Sequence, residues 1–245
     1  MARVFEMPLD SWSEYGPTVD RIVVLVTQER SKQSIGFPAE LFYRGLGDAR
    51  WGLDTSLDRI GKRRISMSEY WSKAYFARPR IEAFTDREWM IWTPNEYHER
   101  LQKGLFPQPS VEMQYLCYLR HHGFPSPLLD WTMSPYVAAF FAFEQPPTDS
   151  ERVVVYAYCY SSTGNHAGAD AAPEIYPVLG TLRTHRRHFL QQSRYTFCVV
   201  RNKDSWDYAR HDYVFFENSE FPILDAQGQD SFGRSQCQQA RESLR

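Results

Sequence analysis

The chain has 245 residues, 42% of them hydrophobic, which is enough to bury one large core without disulfide staples. Its net charge of −2 excludes nucleic-acid binding through overall charge, so such binding would need a local basic patch. The four cysteines form no CxxC pair, no signal peptide is evident, and the longest apolar run, 135–143, is too short to span a membrane. We therefore expect a cytoplasmic protein without membrane contact.

The first third of the chain predicts a helix, a strand and a second helical region. Apolar residues at helical spacing predict a helix over about Thr18–Gln33, capped by Thr18 and ended by Gly36 and Pro38. The aromatic run from Glu40 to Gly45 predicts a strand that enters a glycine turn. Residues 66–100 are patterned as one or two amphipathic helices.

The central region predicts a helix from Ser110 that ends before Gly123, which leaves His121 and His122 in its last turn. Ser134 and Pro135 then form a cap and a first-turn proline, opening a buried helix that runs to Phe143. Three further runs predict strands, namely Val153–Tyr160, which is expected to be buried, Tyr195–Val200 and Tyr213–Glu217. Residues 161–172 read as a loop, and the polar tail 225–245 is expected to be disordered.

Standard catalytic and metal-binding motifs are missing from the sequence, including GxSxG, GxxxxGK[ST], HExxH and GxGxxG. His185 and His188 could share a helix face, but the arginines around them disfavour a cation, so no metal is predicted. The cysteines are interpreted as small core residues rather than nucleophiles.

Three local combinations remain as candidate sites. Arg44 followed by Gly45 offers a planar guanidinium suited to a pyrophosphate, or it is a surface arginine paired with an acid. Asp130 and Thr132 precede a helix N-terminus that favours anions, or they merely cap that helix. The polar run that begins at Gln191 leads into a strand, or it is only a polar strand edge.

Together these runs resemble the FRG-domain family, whose Phe-Arg-Gly signature stands here as Tyr43-Arg44-Gly45. The resemblance covers about residues 41–200. Departures are Ser126-Pro127, where the family tends to have Thr-Arg, and Ser193, where a glycine is common. The other matching residues are Trp51-Gly52-Leu53, Ser56-Leu57, Arg59, His121 to Pro125, Leu128 to Thr132, Ser134-Pro135, Val137 to Ala139, Phe141-Ala142, Gln191 and Tyr195.

More distantly, the same runs look like the NAD-binding motifs of ADP-ribosyltransferases. This likeness implies an ADP-ribosyltransferase-like α+β fold with a central, mostly antiparallel sheet flanked by helices. We expect a single FRG-type domain at residues 1–224, with its motif core at 41–200. It further implies that Arg44 binds the pyrophosphate of NAD, Thr132 supports the nicotinamide ribose, and Gln191 hydrogen-bonds a ribose hydroxyl. Gln191 stands where those enzymes have a glutamate, so Asp130 is the candidate compensating acid. The remaining nucleotide-binding candidates are Gly45, His122, Trp131 and Tyr195.

Three functions stay open. The resemblance favours an NAD-consuming transferase or glycohydrolase, acting as a toxin or in phage defence on an acceptor that the sequence does not name. Glutamine in the acid position favours a sensor that binds a nucleotide without turnover. A module that binds nucleic acid or protein would use the arginines of residues 183–201 beside aromatic side chains.

Overall fold

The computed structural model describes residues 6–33, 40–61, 65–106, 110–144, 146–160, 172–178, 190–202 and 205–215. A short 3₁₀ helix, Trp12–Glu14, comes first. The helices are α1 (Tyr15–Gln33), α2 (Ser56–Arg59), α3 (Met67–Thr85), α4 (Pro94–Gln102), α5 (Val111–His121), α6 (Pro135–Glu144) and α7 (Asp212–Phe215). The strands are β1 (Glu40–Leu46), β2 (Leu129–Thr132), β3 (Val154–Tyr160), β4 (Pro173–Pro177), β5 (Ser193–Arg201) and β6 (Trp206–Tyr208).

The strands form one antiparallel sheet in the order β3-β1-β2-β5-β4, and β6 pairs with β5. β5 holds the sheet together, because it pairs with β2 at residues 193–196 and with β6 at residues 199–201. β1 and β2 share one register pair, Tyr43 opposite Thr132. The predicted fold class, a single mixed α+β domain with an antiparallel sheet and flanking helices, is therefore confirmed.

Side chains of β5 alternate between two hydrophobic clusters, as the two-residue period of a strand requires. Tyr195, Phe197 and Val199 join the larger cluster, which is built mainly by α3, α4 and α5. Cys198 and Val200 join the smaller cluster with Phe42, Leu53, Leu129 and Trp131. Large buried rings such as Trp71, which stacks on Tyr97 with 4.6 Å between centroids, account for much of the aromatic content.

Capping residues fix the starts of the helices that the sequence predicts most clearly. The Ser66 side chain accepts from Glu69 N at the start of α3, and Ser110 does the same from Met113 N at α5. α4 begins with a reciprocal capping box between Thr93 and Glu96. The predictions for residues 66–100 and for the helix from Ser110 are thus confirmed.

Two predicted boundaries or types are wrong. α1 begins at Tyr15, so Thr18 lies inside the helix rather than at its cap. The Tyr15 hydroxyl donates to the Pro135 carbonyl at 2.6 Å, which anchors this earlier start. Tyr213 begins no strand, because it lies in α7, whose Asp212 side chain accepts from Leu53 N at 2.9 Å.

Burial was also predicted wrongly for two elements. β3 lies at the edge of the sheet and is only partly buried. α6 begins at Pro135 as predicted, but it buries three alanines and exposes its aromatic side chains. The reason is that a strand-like or helical pattern of apolar residues identifies the element but does not show which other elements will cover it.

Several predictions fall outside the described residues, namely the terminators Gly36 and Pro38, most of the loop 161–172, the histidines His185 and His188, and the tail 225–245. Within the described parts, none of the helices combines the length and the apolar character that crossing a membrane requires.

Candidate functional site

The Tyr43-Arg44-Gly45 run lies within β1, and each residue has a different surrounding. Tyr43 is buried. A side chain at Gly45 would collide with α6, because its Cβ would lie 1.8 Å from the Ala138 carbonyl oxygen. The backbone of α6 therefore fills the space beside Gly45, which accounts for the absence of a side chain there.

The side chain of Arg44 links β1 to β2, two strands that share a single register pair. Its Nη1 donates to the backbone carbonyl oxygen of Asp130 at 2.7 Å. Its Nε is buried and has no hydrogen-bond partner among the described residues. Burial, with Arg120 and Arg59 nearby, lowers the pKa of Arg44 to about 10, so the guanidinium stays charged at neutral pH.

The Asp130 carboxylate is held by Arg120 from the last turn of α5. Arg120 Nε donates to Oδ1 at 2.5 Å, and a second guanidinium nitrogen donates to Oδ2, which makes a two-pronged ion pair. The Arg120 side chain is 11% exposed and that of Asp130 is 42% exposed. Arg120 also contacts the Ser56 hydroxyl at 3.4 Å, which joins α2 to this pair.

The electrostatics of the pair leave Asp130 ionised. Burial alone would raise the pKa of Asp130, but the hydrogen bonds and charge of Arg120, helped by Arg44, outweigh it and lower that pKa. Burial likewise opposes the charge of Arg120, and the Asp130 carboxylate raises its pKa in return. The Asp130 carboxylate therefore lies within the electrostatic reach of Arg120 and Arg44, and Arg59 acts on Arg44 in turn.

An open cleft with a volume of about 310 Å³ lies over this ion pair. Its lining combines charged groups, small groups and one phenyl ring, supplied by Ser56, Arg120, His121, Gly123, Phe124 and Asp130. Gly123 has φ +80°, the left-handed conformation that lets the chain turn at the end of α5 and forms one wall. The cleft is thus built by the end of α5, by α2 and by β2.

The two histidines at the end of α5 have different contacts. His121 Nε2 lies 3.0 Å from the hydroxyl of buried Tyr195, which is the neighbour of Asp130 across the β2–β5 pairing. The His122 ring packs on Tyr118 with 4.2 Å between centroids. His121 therefore lines the cleft, whereas the predicted His122 packs along α5.

Thr132 and Gln191 meet where β2 ends and β5 begins. The Thr132 hydroxyl donates to the Gln191 carbonyl oxygen at 2.6 Å and accepts from Ser134 N at 3.1 Å. Met133 N donates to the Gln192 carbonyl at 3.1 Å, and Gln192 itself has φ +48°. Backbone bonds thus fix Gln191 beside the end of β2, at a strained turn.

Trp131 lies in the core behind the cleft. Its Nε1 donates to the Thr196 hydroxyl at 2.7 Å, and that hydroxyl lies 2.9 Å from His211 Nε2. Burial, with Arg44 and Arg120 nearby, lowers the pKa of His211 to about 3, so this histidine is neutral. The contacts of Trp131 and His211 are those of a buried polar network in the smaller cluster.

The predicted site residues therefore fall into three places. Asp130 lines the cleft, with Tyr195 just beneath His121. Arg44 lies behind Asp130, while Thr132 and Gln191 meet at the turn two residues further along β2. Sequence reasoning missed Arg120, although it continues the buried stripe of α5 at helical spacing after Met113, Leu116 and Cys117. A charged residue on an otherwise apolar stripe was the signal that could have identified Arg120, since a buried charge needs a partner.

Comparison with known proteins adds one finding to this geometry. Residues 39–151 match the family model of the FRG domain. That span contains Arg44, Ser56, Arg120 and Asp130, and so most of the cleft. No curated protein and no solved structure matches the chain. The chain therefore carries an FRG domain at residues 39–151.

Proposed function

We propose that this FRG domain binds a pyrophosphate-containing nucleotide, with NAD as the first candidate, in the cleft over Asp130. The observation that carries the proposal is the charge balance there. The charges of Arg59 and Arg120 both act on Arg44, and the Asp130 carboxylate opposes them. Excess positive charge in a partly enclosed cleft favours an anion.

Groups in the cleft lining and just outside it have different parts in such binding. Arg120 lies in the lining and is held there by Asp130 and Ser56, and exposed Arg59 follows Ser56 by three residues on α2. Arg44 supports the anion by charge from behind Asp130. The half-buried Phe124 offers a ring on which a base or nicotinamide can stack, worth about 1–3 kcal/mol per base.

The same geometry favours binding over turnover. Cleavage of the nicotinamide–ribose bond develops positive charge on the sugar, which a free carboxylate stabilises. Both oxygens of Asp130 are already bonded to Arg120. Gln191 offers an uncharged amide, which neither neutralises that charge nor acts as a base.

A second candidate, an NAD-consuming transferase or glycohydrolase, is favoured by the placement of three predicted residues. Arg44 lies on β1, Thr132 ends β2 and Gln191 lies two residues before the start of β5, and these three strands are neighbours in the sheet. The resemblance to ADP-ribosyltransferases implies this layout for NAD contacts. Roles as a toxin or in phage defence would follow only from this second candidate.

Calorimetric titration separates the two candidates when nicotinamide release is followed in parallel by chromatography. NAD and ADP-ribose are expected to bind, adenosine is expected to bind more weakly, and no nicotinamide should appear. Arg59→Ala should weaken binding about tenfold, since a charge-assisted hydrogen bond contributes about 1.5 kcal/mol. Arg80→Ala, which removes an exposed arginine of α3 outside the cleft lining, is the matched control and should leave affinity unchanged.

An affinity that Arg59→Ala leaves unchanged, or no binding at all, would contradict the proposal. Nicotinamide release that depends on Gln191 would establish the second candidate instead. The variant Gln191→Glu tests that outcome further, because a carboxylate at this position should then raise the rate of nicotinamide release.

A further inference from the structure

Helix α6 packs in an unusual way, with small residues inside and large residues outside. Ala138, Ala139 and Ala142 are buried against the sheet, where Gly45 lets the two backbones approach. Tyr136, Phe140, Phe141 and Phe143 are exposed to 59%, 59%, 40% and 57%. Within the described residues, the fold thus covers the alanines and leaves the aromatic rings of this helix to solvent.

These rings form one continuous patch with the start of the chain. Tyr136, Phe140 and Phe143 recur at i, i+4 and i+7, so they form one stripe along α6. The ring of Trp12, itself exposed, lies 6.2 Å from that of Phe143. Tyr15 stacks on Trp12 and contacts Tyr136, which closes the patch. We call these rings, together with Phe141, the α6 patch.

The α6 patch is large enough to form the centre of a protein interface. At roughly 200 Å² per aromatic side chain, the exposed fractions amount to roughly 550 Å² of aromatic surface. A stable interface takes roughly 800 Å² from each partner, with an apolar centre and a polar rim. The largest apolar patch on a typical monomer covers roughly 300–600 Å² and is often functional, so the α6 patch lies at the upper end of that range.

We propose that the α6 patch is the two-fold interface of a homodimer. A stripe at i, i+4 and i+7 can pack against an antiparallel copy of itself, and an isologous contact needs only this one self-complementary surface. Residues 135–144 carry a single charge, that of Glu144, so the two copies bring no like-charged groups face to face at the centre.

Composition disfavours two other occupants, a membrane surface and the tail 225–245. A helix that lies on a membrane carries lysine or arginine beside its apolar face, and residues 135–144 contain neither. The tail 225–245 contains Phe232 and Leu244 as its only phenylalanine and leucine, with no tryptophan, tyrosine, isoleucine or valine, so it offers little to cover the five exposed rings of the patch.

Sedimentation velocity over a concentration series tests the proposal on the full chain. Wild type should approach twice the chain mass of 28.8 kDa as its concentration rises. Phe140→Glu should stay monomeric, because a dimer would bury two facing carboxylates. Phe84→Glu is the matched control, since Phe84 is an exposed phenylalanine of α3, and it should dimerise as wild type does. Near-ultraviolet circular dichroism verifies folding, and Phe143→Glu replaces Phe140→Glu if the latter misfolds.

Three outcomes would overturn the proposal. They are a wild type that stays monomeric at every concentration, a Phe140→Glu variant that still dimerises, and a Phe84→Glu variant that dissociates equally. A monomer that co-floats with phosphatidylcholine vesicles through Phe140 would assign the patch to a membrane instead.

Discussion

Helices α5 and α6 follow each other in the chain and pack on the domain by opposite means. α5 buries large side chains, among them Met113, Leu116 and Leu119, and ends at the ion pair of the cleft. α6 buries only alanines, so its backbone approaches β1 closely at Gly45. α5 therefore stabilises the fold through the apolar area that its large side chains bury, whereas the small buried side chains of α6 let its backbone pack closely against β1.

The largest effect is expected from Gly45→Ala, which tests the close approach on the α6 side. The added Cβ would lie 1.8 Å from the Ala138 carbonyl oxygen, a backbone atom that cannot move alone. We expect a loss of about 3 kcal/mol or more, measured by urea unfolding. Gly16→Ala is the control, because its Cβ would meet its nearest neighbour at an ordinary 3.7 Å. If Gly45→Ala and Gly16→Ala changed the unfolding free energy equally little, the close packing at Gly45 would be refuted.

On the α5 side, Leu116→Ala should cost about 2–5 kcal/mol, because it leaves a cavity in the larger cluster. The matched change Val111→Ala removes an exposed side chain from the same helix and should stay within about 0.5 kcal/mol. Urea midpoints at pH 7 give both values. A similar cost for the two variants would mean that burial does not govern the stability of α5.

The ion pair at the end of α5 should make stability depend on pH. Arg120→Met leaves Asp130 without its partner, and since the carboxylate is 42% exposed we expect a discounted loss of about 1–3 kcal/mol at pH 7. The pKa of Asp130 is lowered on folding, so its stabilisation is present above the unfolded pKa of about 3.9 and fades as the pH falls through the folded pKa.

Wild type and Arg120→Met should therefore differ less at pH 3 than at pH 7 in urea unfolding. The control Arg80→Met removes an exposed arginine and should show no such convergence. A difference that stays constant with pH would show that Arg120 acts by packing alone.

The smallest effect is expected at the turn before β5, which belongs to neither helix. Gln192 has φ +48°, which glycine adopts without strain. Gln192→Gly should raise the unfolding free energy by about 0.5 kcal/mol or leave it unchanged, because strain relief opposes the greater freedom of the unfolded chain. Gln192→Val should lower it in the same thermal unfolding assay, and a glycine variant less stable than the valine variant would contradict the strain.

The sequence predicted the elements that carry their own start and stop signals. Ser110 and Gly123 bound α5, and the aromatic run of β1 ends in glycines. It could not predict β4 or β6, because Pro173–Pro177 and the three residues of β6 become strands only by pairing with β5. The outward rings of α6 were missed for the same reason, since burial depends on partners far along the chain.

For the site, residue patterns identified Asp130 but not the partner that sets its charge state. Arg120 lies ten residues earlier, and only the folded end of α5 brings it to the carboxylate. Arg44 was predicted to grip a ligand directly, whereas its nearest acceptor is the Asp130 backbone carbonyl. The sequence could not show this contact, because it depends on how β1 and β2 pair in the sheet, which they do at a single register position.

Chemical-shift mapping can show whether the cleft at the end of α5 binds a pyrophosphate-containing nucleotide. ADP-ribose would be titrated into ¹⁵N-labelled protein while backbone amides are followed. We expect the largest shifts to cluster at Ser56, His121 and Gly123, with little change at Met133 or Ser193. Shifts confined to the Thr132–Gln191 turn, or no saturable shifts, would contradict it.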